Sequence, residues 1–412
     1  MTITTTVHLA LRNLARNPRR TGLSALSVAI AGLSISFLFA FSDGMVNDFR
    51  QNVRTFVSGD IRIRHPDYEA HELKQPLHLA VSPLSEVLPL LEGVEGVRAA
   101  LPRVNLGLRV DHGEKSYNLK GLGVDFARET ALMNPARYLH QGRLPQAGSR
   151  EVLISASLAR ELNLGVGDTI TTLARTRGRG FNAMTFTISG TAVFPLMAQN
   201  KRLVVLPLDL TQRLARLGDS AQEVLLTLER PAMAPQLAHT ISKLFEKLGH
   251  SLAVLPHTQI GIASLYTQIV ETMFAVIALV FFLLGSAIII NTTLMVIHER
   301  TQEIGTLTAL GATESTVVRV FFLESLLISI IGALVGVGLG TGVAAWFSVV
   351  GMDFTTMMEG ISVEFSPVIY PQITWRSTLG TLGYGVLVGS AMSYFSSRRA
   401  ARVSPTQALR AI

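Results

Sequence analysis

Four stretches of this chain carry no charged side chain over a length suited to crossing a lipid bilayer, and no other feature constrains the fold as strongly. A hydrocarbon core about 30 Å thick takes roughly 20 apolar residues in a helix. The stretches are 21–41, 273–297, 325–350 and 377–395. The second is rich in Ile, Val, Phe and Leu, the third in glycine, and the fourth is the shortest and weakest. A signal peptide is the rival reading of the first. Its apolar run exceeds the roughly 7–15 residues of an h-region, and no A-x-A-like cleavage site follows before Asp43. A hydrophobic share of 48% against 16% charged places the surplus in lipid and excludes an ordinary soluble enzyme.

Charge beside the spans sets the expected orientation, because Lys and Arg collect on the cytoplasmic side. Arg12, Arg16, Arg19 and Arg20 precede the first span without an acid, and Arg398, Arg399, Arg402 and Arg410 follow the last without one. Both termini are therefore expected in the cytoplasm. Residues 42–272 then lie outside, 298–324 form an inner loop, 351–376 an outer loop and 396–412 an inner tail. The net charge of +7 reads as a topology signal and gives no support for nucleic acid. With no cysteine, a disulfide framework, a thiolate zinc site and a Cys nucleophile are all excluded. The fold class that follows is an α-helical membrane protein with four transmembrane helices and a large α+β domain of two lobes inserted between helices 1 and 2.

Within that insertion, the alternating residues Gly59 to His65 predict a strand and Ser82 to Leu91 a helix. Glu151 to Ser155 reads as a short strand, Ala156 to Leu162 as a helix, and Thr169 to Leu173 and Met184 to Ser189 as strands. Arg177 to Gly180 forms a hairpin tip between the last two. Ala238 to Leu248 has helical spacing, and Gln259 to Glu271 runs into the second span.

The inner loop holds the strongest motif, His298 to Thr313. Ile304, Leu307 and Leu310 recur at helical spacing, so a short amphipathic helix is expected, lying on the membrane surface or docked in a partner's groove. Gly311 suits its C-cap and Thr313 the N-cap of the third span. From the residues alone, a structural re-entry turn accounts for the pattern equally well. Gly332, Gly336 and Gly340 form G-x-x-x-G steps that let helices approach closely, either within one subunit or across a dimer interface. Arg175, Arg177 and Arg179 make an exposed turn or a contact for an acidic or phosphate-bearing periplasmic partner. His65, Asp67, Glu69, His71, Glu72 and His78 lack metal-ligand spacing and read as a solvated segment. No catalytic constellation is present, and no charge sits within the spans to mark an ion pathway.

The inner loop resembles the E-R-x-x-E-I-G-x-L-x-A-L-G-A signature of the FtsX-like permeases, the membrane subunits of the MacB, LolC/LolE and FtsX group of ABC transporters. Glu299, Arg300, Glu303, Ile304, Gly305, Leu307, Ala309, Leu310, Gly311 and Ala312 carry the match. Ala10 to Ser24 is similar to the family's amphipathic entry helix, which implies such a helix over 1–20. Arg398 to Arg410 is similar to its R-R-A-A-R-x-x-P-x-x-A-L-R tail. Glu151 to Ile154 and Leu164 to Ile170 resemble its MacB-like periplasmic core domain.

The resemblance implies a non-catalytic permease subunit in the bacterial inner membrane. Glu299, Arg300, Glu303, Ile304, Gly305, Leu307, Leu310, Gly311 and Ala312 would form a coupling helix seated on a separate ATPase dimer. The chain has no G-x-x-x-x-G-K-[ST] loop, so ATP and Mg are expected on that partner and no cofactor on this chain. A second permease copy or a related permease is expected beside it, and a periplasmic carrier or adaptor is a further candidate partner. In architecture the chain is most similar to the lipoprotein-releasing LolC/LolE permeases. A MacB-like efflux component and an FtsX-like regulator of a cell-wall hydrolase are the alternatives.

Overall fold

The computed structural model describes residues 12, 14, 18–112, 115–195, 201–299, 312–354 and 368–401. Its helices in chain order are α1 (Pro18–Val53), α2 (Leu84–Glu92), α3 (Ala156–Leu162), α4 (Leu208–Ala215), α5 (Ala234–Leu248), α6 (Gly261–Glu299), α7 (Glu314–Val350) and α8 (Trp375–Ala401). The strands are β1 (Ile61–Arg64), β2 (Val97–His112), β3 (Lys115–Val124), β4 (Leu139–Gly142), β5 (Glu151–Ser155), β6 (Thr169–Arg175), β7 (Phe181–Ala192), β8 (Leu203–Pro207), β9 (Glu223–Leu228), β10 (Ala253–Pro256), β11 (Met352–Asp353) and β12 (Val368–Ile369). The chain forms two units. A helical unit takes 1–47, 269–354 and 368–412, and a sheet unit takes 48–268 and 355–367.

In the helical unit, three helical stretches among the described residues are long and apolar enough to cross a bilayer: Thr21–Ser58, Gln268–Ala287 and Ser315–Val350. The helices outrun the apolar runs that announce them. Uncharged sequence ends before Asp43, yet α1 continues to Val53, because Asp48, Arg50 and Gln51 end a hydrophobic run without ending a helix. The fourth expected span, 377–395, falls inside α8. Ser377, Thr378, Gly380, Thr381 and Gly383 dilute its apolar content, which leaves it outside those three stretches. It packs on α7 nonetheless. A Cβ on Gly385 would lie 3.2 Å from the Ala333 Cβ, and the Phe322 and Tyr394 rings meet edge-on at 6.3 Å. The remaining helix surfaces expose Leu279, Leu283, Leu334, Leu339 and Leu387, as a surface bathed in lipid requires.

The sheet unit is a ten-stranded mixed sheet running β10-β1-β9-β2-β3-β8-β5-β7-β4, with β6 bridging β2 and β7. That bridge closes β2, β3, β8, β5, β7 and β6 into a ring. Strand β2 belongs to both halves: Val97–Arg103 pair with β9 in the open part, and Leu108–Val110 pair with β6 in the ring. The two expected lobes therefore share a strand, and one continuous apolar cluster runs through both, from Ile61 and Val87 to Ile154, Phe186 and Ile241. Helix α5 presents Ala234, Leu237, Ala238, Ile241 and Phe245 to that core, an apolar stripe at helical spacing, and ends at Gly249, whose φ of +77° makes the left-handed cap.

Local chemistry explains the elements that match the expected bounds. Helix α3 starts where the Ser155 hydroxyl accepts the Leu158 N–H at 3.2 Å and stops at Asn163 in the left-handed region. Strand β1 forms within the expected Gly59 to His65, and all four of its residues, both arginines included, are buried. Glu69 and Glu72, read from sequence as solvated, pair with Arg62 at 3.0 Å each, and Glu72 also meets Arg64 at 2.7 Å. The short helix Pro66–Lys74 thus covers the arginine face of β1 with carboxylates.

Candidate functional site

Most of the coupling-helix motif, residues 300–311, lies outside the described residues, including Arg300, Glu303, Ile304, Gly305, Leu307, Leu310 and Gly311. Its two flanks are described. Glu299 is the last residue of α6. On the far side Ala312 packs against the buried Val317, Val318 and Phe321, and Thr313 stands at the N-cap of α7, its carbonyl accepting the Thr316 and Val317 N–H groups at 2.9 and 3.1 Å. The loop therefore joins two long helices and ends against the base of the second.

Gly332, Gly336 and Gly340 of α7 face α1. A Cβ on Gly336 would run into the Ala29 carbonyl oxygen and lie 2.8 Å from its Cα. On Gly332 it would meet the Ala25 carbonyl at 2.7 Å, and on Gly340 the Leu33 carbonyl at 2.7 Å. Across the contact Gly32 gives the same proximity, with the Gly336 Cα 3.6 Å from its own Cβ position. The row is a backbone-to-backbone seam inside one chain, which side chains would wedge apart. Gly338 and Gly342, on other faces, have nothing within 4 Å.

In the sheet unit, a second group of residues holds the segment that follows α1. After Val53 the chain makes one π-helical turn, Arg54–Ser58, before β1. A helix end leaves carbonyl groups without intrahelical partners. Two of them, Thr55 and Phe56, accept from the Arg103 guanidinium at 2.9 and 3.0 Å. Arg103 is completely buried and forms a two-pronged pair with the buried Glu129, at 2.7 and 2.9 Å. Burial opposes the charge on Arg103, but Glu129 outweighs it and holds the guanidinium more firmly protonated than usual. Beside this clamp, the Arg54 guanidinium meets the buried Asp60 carboxylate at 2.6 Å. The same carboxylate accepts the Leu228 N–H, and the Asp60 carbonyl accepts the His257 N–H at 3.0 Å. His257 opens the turn that leads into α6. Asp60 thus ties the exit from α1 to the approach to α6.

None of these junction residues is announced by a motif. Arg103 follows Pro102 in an irregular strand, and Asp60 follows Gly59, whose φ of +62° is the only local sign of a special turn. Glu223 is also absent from any sequence pattern. Burial alone would raise its carboxyl, but Arg64 and Arg62 more than offset this and hold it below the usual carboxylate range. Arg64 meets it at 2.5 Å.

Arg175, Arg177 and Arg179 are brought together at the β6–β7 hairpin tip, and all three are exposed. They line a cleft of about 690 Å³ with His71, Lys74 and His78. Among the described residues, no group of three His, Asp or Glu side chains is placed to hold a metal ion.

With this geometry in view, residues 21–244 match the MacB-like periplasmic core domain and residues 275–405 match the FtsX-like permease C-terminal domain. The chain belongs to the FtsX-like, MacB-type permeases. The permease is 22% identical to the macrolide export ATP-binding/permease protein MacB of Bdellovibrio bacteriovorus, over 98% of this chain and 61% of that one. It is 31% identical to the Bacillus subtilis ABC transporter permease YknZ, described as uncharacterized, over 35% of this chain and 32% of that one. The chain thus spans less than two thirds of the length of either relative. Among solved structures, the periplasmic region of MacB from Actinobacillus actinomycetemcomitans aligns at 14% identity with a TM-score of 0.37, covering 53% of this chain and 96% of that one. The two family matches and the long apolar helices make the permease a membrane protein, with its core domain inserted between the first apolar helix and the remaining ones.

Proposed function

We propose that this permease transmits ATP-driven motion from a separate cytoplasmic ATPase dimer to its periplasmic core domain, and that the motion extracts lipoproteins or other lipidic substrates from the inner membrane. The observation that carries the reading is the loop at 299–312. It pairs charged Glu299, Arg300 and Glu303 with an apolar stripe of Ile304, Leu307 and Leu310 and joins α6 to α7. Such a helix suits a groove on a partner, its stripe filling the pocket and its charges fixing the register. The path onward runs from α7 to α1 through the glycine seam. α1 and α6 each carry residues of both units, so push and pull on them is delivered at the Arg103 and Asp60 junction. ATP and Mg belong to the partner, both termini to the cytoplasm, and α8 completes a set of four spans. A second copy or a related permease completes the dimer.

Efflux through a periplasmic adaptor is the second reading, favoured by relatives that bear the name macrolide export protein. The absence of charge in the apolar runs suits either, since both move substrate at or beyond the outer leaflet.

The test of coupling is co-expression with the candidate ATPase, comparing the parent with Glu303→Arg and Gly305→Leu. Both variants are expected to reach the membrane, lose co-purification of the ATPase and leave hydrolysis at the level of the ATPase alone. Survival of both complex and stimulation would remove the coupling helix. Site-specific crosslinking from the core domain in cells then separates the substrates: lipoproteins support extraction, an adaptor supports efflux, and a peptidoglycan hydrolase overturns both.

A further inference from the structure

The chain has two tryptophans, and both stand within one turn of the same level of the helical unit. Trp346 lies one turn before the end of α7 and is 69% exposed, while Trp375 opens α8 and is 71% exposed. The pairing of the two helices sets the level. Gly385 faces Ala333 and Phe322 meets Tyr394, and the same antiparallel register continued outward brings Trp375 beside Gly342, one turn from Trp346. Tyr370 and Ile373, between β12 and α8, are exposed as well. α1 reaches this level at Ala40 to Asp43. The Gln372 N–H donates to the Ala40 carbonyl and the Thr374 hydroxyl to the Asp43 carboxylate, both at 2.8 Å.

An exposed indole is poorly served by water or by hydrocarbon alone. Its broad face is apolar and its N–H needs a partner, so it settles where acyl chains give way to headgroups. The side chains on either side of this level divide accordingly. Inward along α7, every exposed residue from Ile331 to Trp346 is apolar. Leu379 and Leu387 continue that surface on α8. Outward, Asp353 and Gln372 are exposed. Arg376 stands at the level itself, exposed, with its guanidinium 5.5 Å from the Trp375 ring. A long apolar stem lets such a charge reach lipid phosphodiesters while the chain lies along the hydrocarbon boundary.

The distance to the next charge gives an independent measure. Moving inward, that charge is Arg20 from Asp43 on α1, Glu324 from Trp346 on α7 and Arg398 from Arg376 on α8. At 1.5 Å per residue all three lengths are about 33–35 Å. A hydrocarbon core of about 30 Å fits within each, with a small margin for the two faces. We propose that Trp346, Tyr370, Ile373 and Trp375 lie in the interface of one leaflet, among phospholipid headgroups, and that this plane crosses α1 at Ala40 to Asp43. In the orientation proposed above the leaflet is the periplasmic one. α8, the least apolar of the four runs, then crosses the bilayer in full. The plane does not involve the ATPase-coupling loop, and its test reads lipid contact alone, so its failure leaves the coupling reading untouched.

The test uses the full chain in phosphatidylcholine nanodiscs whose acyl chains carry bromine either near the headgroup or near the methyl end, with tryptophan fluorescence as the readout. Trp346→Phe leaves Trp375 as the sole reporter, and Trp375→Phe leaves Trp346. In each variant, bromine near the headgroup is expected to quench at least about twofold more strongly than bromine near the methyl end. Stronger quenching from the methyl end would place the rings in the hydrocarbon core. No quenching from either position would place them in water or against a second copy of the chain, and each of these results overturns the proposal. Because the parent has no cysteine, single thiols can bracket the plane. Gln372 and Leu379 are both exposed and flank Trp375 in the chain. Gln372→Cys should react with a membrane-impermeant maleimide at least about tenfold faster than Leu379→Cys, since a thiol ionises poorly in apolar surroundings. The two rates should become equal after unfolding in dodecyl sulfate. Equal rates in the nanodisc would overturn the proposal.

Discussion

Where α7 meets α1, contact is made by leaving side chains out: Gly332, Gly336 and Gly340 bring one backbone against Ala25, Ala29 and Leu33 of the other. Where the chain leaves α1 in the sheet unit, contact is made by one of the largest side chains available, Arg103, buried and paired on every side. The solvent explains the difference. Lipid is as apolar as leucine, so helices in it gain from close packing, and a charge between them is expensive. At the junction the backbone itself is the difficulty, because a helix end turning into a strand leaves carbonyls that need donors. A guanidinium can serve two carbonyls and a carboxylate together.

Breaking the comparison at its strongest point means truncating Arg103. Arg103→Ala strands Glu129 and two helix-end carbonyls in the interior, and should lower the stability of the sheet unit by about 3–5 kcal/mol. Hydrogen exchange should show residues 54–58 and β2 losing protection first. The glycine seam comes next. Gly336→Ala should lower the stability of the helical unit by about 1–3 kcal/mol, because the new methyl meets backbone that cannot yield. Gly342→Ala, with open space around it, should stay within about 0.5 kcal/mol of the parent. Unfolding in mixed micelles distinguishes them, and equal effects would show that the seam is not held by close approach.

Acid sharpens the electrostatic side. Glu223 sits below its ordinary value of 4.5 in the folded chain. Its contribution to stability is therefore fully present above that value and is lost as pH falls below it toward the depressed folded value. Glu223→Gln should be less stable at neutral pH and should show a shallower loss of protection in β1 and β9 on acidification. The smallest effect is expected from Arg143→Ala. Its partner Glu151 is held low chiefly by Arg143, yet Arg143 is more than half exposed, so the change should be about 0–1 kcal/mol in a thermal melt and should shrink further in salt.

Legibility differed element by element. Glu151 to Leu162 was readable because its signals are local: a short apolar run, then a serine cap and helical spacing. Strand β2 was hidden by Pro102, Gly107 and interspersed arginines, residues that weaken strand propensity but are tolerated where β9, β3 and β6 supply partners. The inner-loop motif is a sequence reading whose residues 300–311 lie outside the described ones, and only its flanks are seen, at Glu299 and Ala312. Arg175, Arg177 and Arg179 were visible as a hairpin tip, while their union with Lys74 across a hundred residues was not.

Membrane association and the family's motifs come from properties that add up along the chain. An apolar residue favours lipid whatever its neighbours are, and an arginine beside a span biases orientation alone. Whether Arg62 is solvated or buried, whether Gly336 touches anything, and whether Asp60 ties two helices' approaches together depend on which distant atoms come within a few ångströms. Those energies fall off steeply with distance and change sign with pairing, so they belong to the folded arrangement.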